Sequence, residues 1–239
     1  MTYAFKVATY NIRKAVGLDQ RRDPARILTV LNEIGADIIT LQEVDRRFGA
    51  RVSALPLAMI EAETPYVSVP LHFRPQAIGW HGNAILVRRG IEIRHAAPIE
   101  MPTLEPRGAV MAELVADGHA LRIIGVHLDL SGLWRRRQVR ALLAAIDTAP
   151  RQMPTAMMGD FNQWSDRGAL SELAFHHHKL VQTPKSFHSA RPVARLDRII
   201  VSHDISVDAC DAHCSTLAKQ ASDHLPLWAA LRLTGKFAQ

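Results

Sequence analysis

Short apolar runs that each end in a polar, hydrogen-bonding residue recur along this chain, and they constrain its fold more than any other feature. Residues 4–9 lead into Tyr10-Asn11, 37–41 into Gln42-Glu43, 121–126 into His127, and 154–158 into Gly159-Asp160-Phe161-Asn162. Asp197 opens the run Ile199-Ile200-Val201, and Ser222-Asp223-His224 precedes the last apolar stretch. Unbroken apolar runs of this length suit buried strands. A carboxylate at the tip of such a strand is costly unless it is paired or bound to a cation. Strand alternation predicts that Asp160 and Asn162, two residues apart, point to one face.

Between these runs the chain alternates strands and helices without an evident linker or repeat. Asp23-Pro24 is a helix start, an N-cap followed by proline in the first turn. Ile27, Val30, Leu31 and Ile34 then recur at helical spacing, and Gly35 ends the helix. From 66 to 127 the pattern predicts short strands, including 84–87, 92–95, 109–115 and 121–126. Ser131 opens a second helix with Val139, Leu142, Leu143 and Ile146 inward, and a third short helix is expected over 167–173. The stretch 175–194 is expected to be a long loop, a length that in compact domains often serves function. A final strand is expected over 225–233.

At 239 residues the chain suits one α/β domain over 1–239, and its 48% hydrophobic and 22% charged residues are ordinary for a globular protein. A strand begins almost at once, leaving no room for a signal peptide, and no run approaches membrane-spanning length; a cytoplasmic location is expected. Cys210 and Cys214, the only cysteines, read as reduced thiols. His176-His177-His178 lacks accompanying Cys or Asp ligands and reads as a polar loop.

Glu43, Asp160, Asp197 and Asp223 would repel one another if gathered, so a divalent cation, an imidazolium or both must accompany them. Oxygen donors without cysteine favour Mg²⁺ or Mn²⁺ over zinc. The ordered set Asn11, Glu43, His127, Asp160-Phe161-Asn162, Asp197 and Ser222-Asp223-His224 resembles the endonuclease/exonuclease/phosphatase superfamily, the deoxyribonuclease-I-like fold, from about residue 7 to residue 228. Composition does not decide how the sheets stack. The resemblance implies an α/β four-layer sandwich, two packed mixed β-sheets flanked by helices, with the site at the edge where strand ends converge.

Carried over residue by residue, the resemblance makes Glu43 the main metal ligand, assisted by Asn11, with Asp223 a further ligand. His224 would be general base on the attacking water, oriented by Asp197. Asp160 and Asn162 would position that water and a phosphate oxygen, and His127 would donate to a non-bridging or leaving oxygen. Arg107, in Glu105-Pro106-Arg107-Gly108, resembles an arginine that touches substrate phosphate. Asn83 stands where nuclease members often carry an acid near the phosphate-contacting histidine; a turn-capping asparagine is the equal alternative.

The net charge of +6 and isoelectric point near 9.7 ask for an anionic partner. Arg13 and Lys14 follow Asn11, Arg46 and Arg47 follow Glu43, and Arg135, Arg136 and Arg137 follow His127, so converging strand ends would be ringed by cations. The last group lies near a helix start, where the macrodipole disfavours cations by about 0.3–1 kcal/mol each. Arg135 and Arg136 are therefore candidates for a substrate rim, with a solvated helix face as the alternative. Hydrolysis of a phosphodiester in nucleic acid is the preferred reading, with Trp134, Trp164 and Phe187 available to stack on bases. A phospholipid or small-molecule phosphoesterase is the alternative, since Leu133-Trp134 beside arginines also suits an anionic lipid surface. A non-catalytic scaffold is disfavoured because no expected catalytic position is missing, and nothing implies a stable protein partner.

Overall fold

The computed structural model describes residues 3–46, 52–71, 77–176 and 178–233. Arg47 and His177, both singled out above, lie outside them.

Two six-stranded mixed sheets are stacked face to face. The first has the order β11 (Ile205–Ala212), β12 (Leu227–Leu233), β1 (Tyr3–Asn11), β2 (Ile38–Gln42), β4 (Ala84–Arg88) and β3 (Tyr66–Ser68). The second runs β5 (Glu92–Ile99), β6 (Gly108–Ala116), β7 (His119–His127), β8 (Thr155–Asp160), β10 (Asp197–Ser202) and β9 (His178–Leu180). At the heart of each sheet lies one parallel pair, β1 with β2 and β7 with β8, and the remaining pairings are antiparallel.

Side-chain alternation sorts the strands into layers. Phe5, Val7, Ile38, Ile85 and Val87 of the first sheet meet Val110, Ala112, Ile123, Ala156, Met158 and Ile199 of the second in a central core. On the outer face of the first sheet, Ala8, Tyr10, Ile39 and Leu41 pack on Ile27, Leu31 and Ile34 of α1 (Pro24–Ile34). Outside the second, Ile124, Val126 and Met157 pack on Val139, Leu142 and Leu143 of α3 (Gly132–Asp147) and on Leu170 and Leu173 of α4 (Ala169–Phe175). Helix, sheet, sheet, helix is the four-layer sandwich expected, and it explains why β2 and β8 are buried at every position. Between the sheets, Gly125 stands where a Cβ would lie 3.2 Å from Thr40.

α1 forms as its sequence dictates: the Asp23 carboxylate accepts the Arg26 amide at the N-cap, and Gly35 closes the helix in the left-handed region at φ 58°. Other boundaries differ from the reading above. The third helix starts at Ala169, not at 167, because Gly168, at φ 79°, breaks the backbone before it. The stretch 175–194 is not loop throughout: α4 extends to Phe175, and β9 pairs with β10 as an edge strand. The last strand begins at Leu227, after Pro226, whose carbonyl accepts the His213 amide. Three elements have weak sequence signals. α2 (Leu57–Glu63) and α5 (Thr216–Ala221) are short, and β11 is a half-exposed edge strand. Among the described residues, no helix is long and apolar enough to cross a membrane.

Candidate active site

The topology alone brings the polar strand tips to one edge. Parallel pairing sets Asn11 opposite Gln42 at the ends of β1 and β2, and His127 opposite Asp160 at the ends of β7 and β8. Antiparallel neighbours deliver their beginnings to the same edge. β10 starts with Asp197 opposite Asp160, and β6 starts with Gly108 opposite His127, just after Arg107. Asn83 and His224 immediately precede β4 and the turn into β12.

Two amides stitch the sheets together there. Asn11 Nδ2 donates to Asp160 Oδ2 at 3.1 Å, and Asn83 Nδ2 donates to the Gly108 carbonyl at 3.0 Å. Asn83 is fully buried, and its Oδ1 has no partner. Beside Asp160, Gly159 has φ 154°, and a Cβ there would fall 1.9 Å from the Val126 carbonyl oxygen, so glycine is required.

At the centre is a buried acid–imidazole network. His224 Nδ1 lies 2.8 Å from Asp197 Oδ2, and its Nε2 lies 3.8 Å from Asp160 Oδ2. Ser186 Oγ donates to the same Asp197 oxygen, while Asp197 Oδ1 is buried without a partner. The Phe187 ring packs on His224 at 4.9 Å between centroids. Burial raises the Asp160 carboxyl to about 6, against the lowering effect of His224 and of hydrogen bonds from Asn162 and Asn11; Asp197 adds to the rise. Burial alone would lower His224. The charge and hydrogen bond of Asp197, with Asp160 and Asp223, outweigh it and push the imidazole up to about 10.

His127 Nε2 lies 3.5 Å from Asp160 Oδ2 and is in contact with the Arg107 guanidinium. Arg107 is almost buried and also holds the Leu128 carbonyl at 3.2 Å and Glu105 at 3.2 Å. His127 thus faces the same Asp160 oxygen as His224, with the Arg107 guanidinium held behind it. The edge therefore combines an oriented base, a buried acid and a fixed guanidinium, the parts that hydrolysis at phosphorus uses.

Asn162 departs from the alternation argument. β8 ends at Asp160, whose Oδ1 captures the Asn162 amide at 2.9 Å in a side-chain-closed turn. Asn162 is then left-handed at φ 50°, and its Nδ2 reaches across to the Leu128 carbonyl at 2.9 Å. It joins the site through a turn, not through a shared strand face. Arg135 is a second correction. Its Nη1 donates to the carbonyls of Asp129 and Leu130, and its Nε to Gln163 Oε1, so the side chain clamps its own loop to the next. Arg136 is exposed, and Arg137 lies over the Trp134 ring at 4.9 Å.

Glu43, Asp223 and Asn11 offer oxygen donors from three segments. Lys14 pairs with Glu43, and Arg13 lies 3.5 Å from Asp223; the Arg13 amide donates to Asn11 Oδ1 at 3.1 Å. Carboxylate, carboxylate and amide oxygen form a hard donor set that fits Mg²⁺ or Mn²⁺, and both carboxylates are partly exposed. Asp160, Asp197 and His224 form another group close enough to hold a metal, their ligand atoms within 4.8 Å of one another. Within this trio His224 Nδ1 and Asp197 Oδ2 are already spent on each other, whereas the carboxylates of the outer oxygen set are the more open.

Sequence reasoning missed Gln163 as the anchor of Arg135 and Ser189 as the anchor of the 222–223 backbone. Ser189 Oγ donates to the Ser222 carbonyl at 2.6 Å, and its amide donates to the Asp223 carbonyl at 2.7 Å. Neither contact leaves a periodic trace. Ser186 and Phe187 had only their position before Asp197 to mark them.

A protein of Escherichia coli K12 described as uncharacterized, YbhP, is 28% identical over 252 aligned positions, covering 97% of both chains. The crystal structure of an endonuclease/exonuclease/phosphatase from Bacteroides vulgatus superposes with a TM-score of 0.76 at 19% identity, covering 97% of this chain and 100% of that one. Danio rerio TDP2 complexed with single-strand DNA product gives 0.73 at 17% identity, covering 95% and 98%. At these identities the structures establish the fold, and they agree with the two stacked sheets. The model of the endonuclease/exonuclease/phosphatase family, whose members are phosphoester hydrolases that generally use divalent metals, matches residues 8–224, and the chain belongs to this family.

Proposed function

We propose that residues 1–239 act as one catalytic domain, a divalent-metal-dependent phosphodiesterase that hydrolyses its substrate by in-line attack of water. The observation that carries this reading is His224 fixed between Asp197 and Asp160, beside His127 and Arg107. With Nδ1 engaged by Asp197, Nε2 is the atom left to take a proton from water, and Asp197 stabilises the imidazolium that results. Asp160 Oδ2 faces that same nitrogen and positions the water. Arg107 and His127 hold phosphate oxygens, and Asn83 and Asn162 fix the loops that carry them. Glu43, Asn11 and Asp223 would hold Mg²⁺ or Mn²⁺, which supplies charge stabilisation to the phosphoryl oxygens and the leaving group. The nearby carboxylates raise His224, and a divalent cation held among them would oppose that rise and leave Nε2 free to accept the proton.

Net charge favours a nucleic-acid strand as substrate, with Arg136 exposed at the rim, and TDP2 shows this fold beside single-strand DNA product. Arg135, folded onto its own loop, contributes less to such a rim than its sequence position implies. A second reading, a phosphate ester carried by an amphiphile, is favoured by the exposed leucines beside the site. The test is Mg²⁺-dependent turnover of bis-p-nitrophenyl phosphate, single-stranded DNA, RNA and phospholipid by the native chain and His224→Ala. Turnover of at least one ester, lost in the variant, is expected; equal rates from both proteins would reject the assignment.

A further inference from the structure

Among the described residues, the exposed large apolar side chains are Leu57, Leu104, Leu130, Leu133, Trp164 and Val193. All but Leu57 stand on loops that carry the active site or, for Leu133, in the first turn of the helix that follows one. Leu104 lies three residues before Arg107, and its amide donates to Asp129 Oδ2 at 3.4 Å. Leu130 and Leu133 follow His127 into the start of α3, and Trp164 follows Asn162. Val193 belongs to the loop whose Phe187 packs on His224, with its amide donating to the Phe187 carbonyl. Arg135 bonds both the Leu130 carbonyl and Gln163, so the Leu130 and Trp164 loops are tied to each other. Single exposed leucines are ordinary, but a collar of them around a site marks an interaction surface.

Charge selects the partner. Arg136, Arg167, Lys185, Arg191 and Arg195 are exposed on the same loops. Of the carboxylates there, Glu105 is paired with Arg107, Asp166 lies 3.0 Å from Arg198, and Asp129 is buried; Glu100 is exposed at the far end of its loop. Nucleic acid offers base faces, which stack on flat rings, and Trp164 is the one exposed ring in this collar, with Trp134 and Phe187 half-buried beside it. Branched aliphatic side chains at 52–64% exposure gain instead by entering hydrocarbon. Apolar tips interleaved with cations are the composition of a surface that sits in the interface of an anionic bilayer.

We propose that this collar docks the active site on an anionic lipid surface, so that the ester presented to it belongs to a bilayer-borne amphiphile. Docking stands on the collar itself; only the identity of the ester rests on the phosphodiesterase reading above. The test is sedimentation of the full chain with vesicles of phosphatidylcholine alone and of phosphatidylcholine with phosphatidylglycerol, with Trp emission recorded. Binding to the phosphatidylglycerol vesicles, a blue shift removed by Trp164→Ala, and a loss of affinity of about tenfold or more in Leu104→Ser/Leu130→Ser/Leu133→Ser are expected. Circular dichroism and turnover of bis-p-nitrophenyl phosphate should be unchanged in the triple variant. Absence of vesicle binding by the native chain overturns the proposal. So does equal binding by a folded triple variant, or tighter binding of single-stranded DNA that displaces the vesicles. Vesicle binding without turnover of any ester would leave docking intact and reject the phosphodiesterase reading instead.

Discussion

At the scale of single residues, the site is a set of side chains whose partners are defined. Asp197 Oδ2 accepts from both Ser186 and His224, so the imidazole is held from one side only and Nε2 stays directed at Asp160. His224→Ala and Asp197→Asn should each lower kcat by about 10²–10⁴-fold, the range ascribed to general acid–base groups, with an unchanged far-ultraviolet spectrum. A loss under threefold in either would remove the ring from the chemistry. Ser186→Ala should cost less, because Asp197 keeps its bond to His224. The thiols also differ. Burial, with Asp211 beside it, pushes Cys210 up to about 11, whereas Cys214 is exposed. Only the thiolate is alkylated, so below pH 9 iodoacetamide should label Cys214 first, and Cys210 should react increasingly as pH rises toward 11. Mass spectrometry of the singly labelled chain decides this.

At the scale of elements, strand ends do the positioning, and backbone strain gathers where they meet. Arg13, Lys14, Ala15, Glu43, His81 and Asn162 all have positive φ without being glycine, and all lie in the segments that follow or precede the site's strands. Such conformations cost of order 1–3 kcal/mol each and persist where surrounding structure holds them. Gly159 is the tightest point. Gly159→Ala would drive a methyl into the Val126 carbonyl, parting β8 from β7 where Asp160 meets His127. A melting temperature lowered by several degrees together with lost activity is expected, from a cost of about 1–3 kcal/mol. An unchanged melting curve would show that the sheet relaxes freely there. By contrast, Asp23→Ala removes an N-cap far from the chemistry, and should cost about 1 kcal/mol while leaving turnover alone.

At the scale of the whole molecule, two sheets supply a rigid base and their shared edge supplies the chemistry. Because the proposed oxygen donors come from three separate segments, cation binding there would be linked to folding. Mg²⁺ should raise the melting temperature of the native chain, by about 2.7 kcal/mol of stabilisation at a hundredfold excess over Kd, and Glu43→Gln should abolish most of that rise. Equal stabilisation of both proteins would place the cation elsewhere. Much of this was legible without coordinates. Polar tips on buried runs marked Glu43, Asp160, Asp197 and Asp223 as groups in need of a common counter-charge. Asp23-Pro24 and Gly35 bounded α1, because capping is local chemistry. Edge strands and short helices such as β9, β11 and α5 left little trace, since half-exposed segments carry mixed composition and take their form from neighbours. The reach of Asn162 to the Leu128 carbonyl, the clamp of Arg135 on Gln163 and the bond from Ser186 to Asp197 belong to tertiary structure alone. The sequence by itself determined which groups must meet, because burying strand tips without partners is too costly. Only the stacking of the sheets decided which oxygen faces which nitrogen, because those contacts join residues as distant as Asn11 and Asp160, 149 positions apart, and no local pattern encodes them.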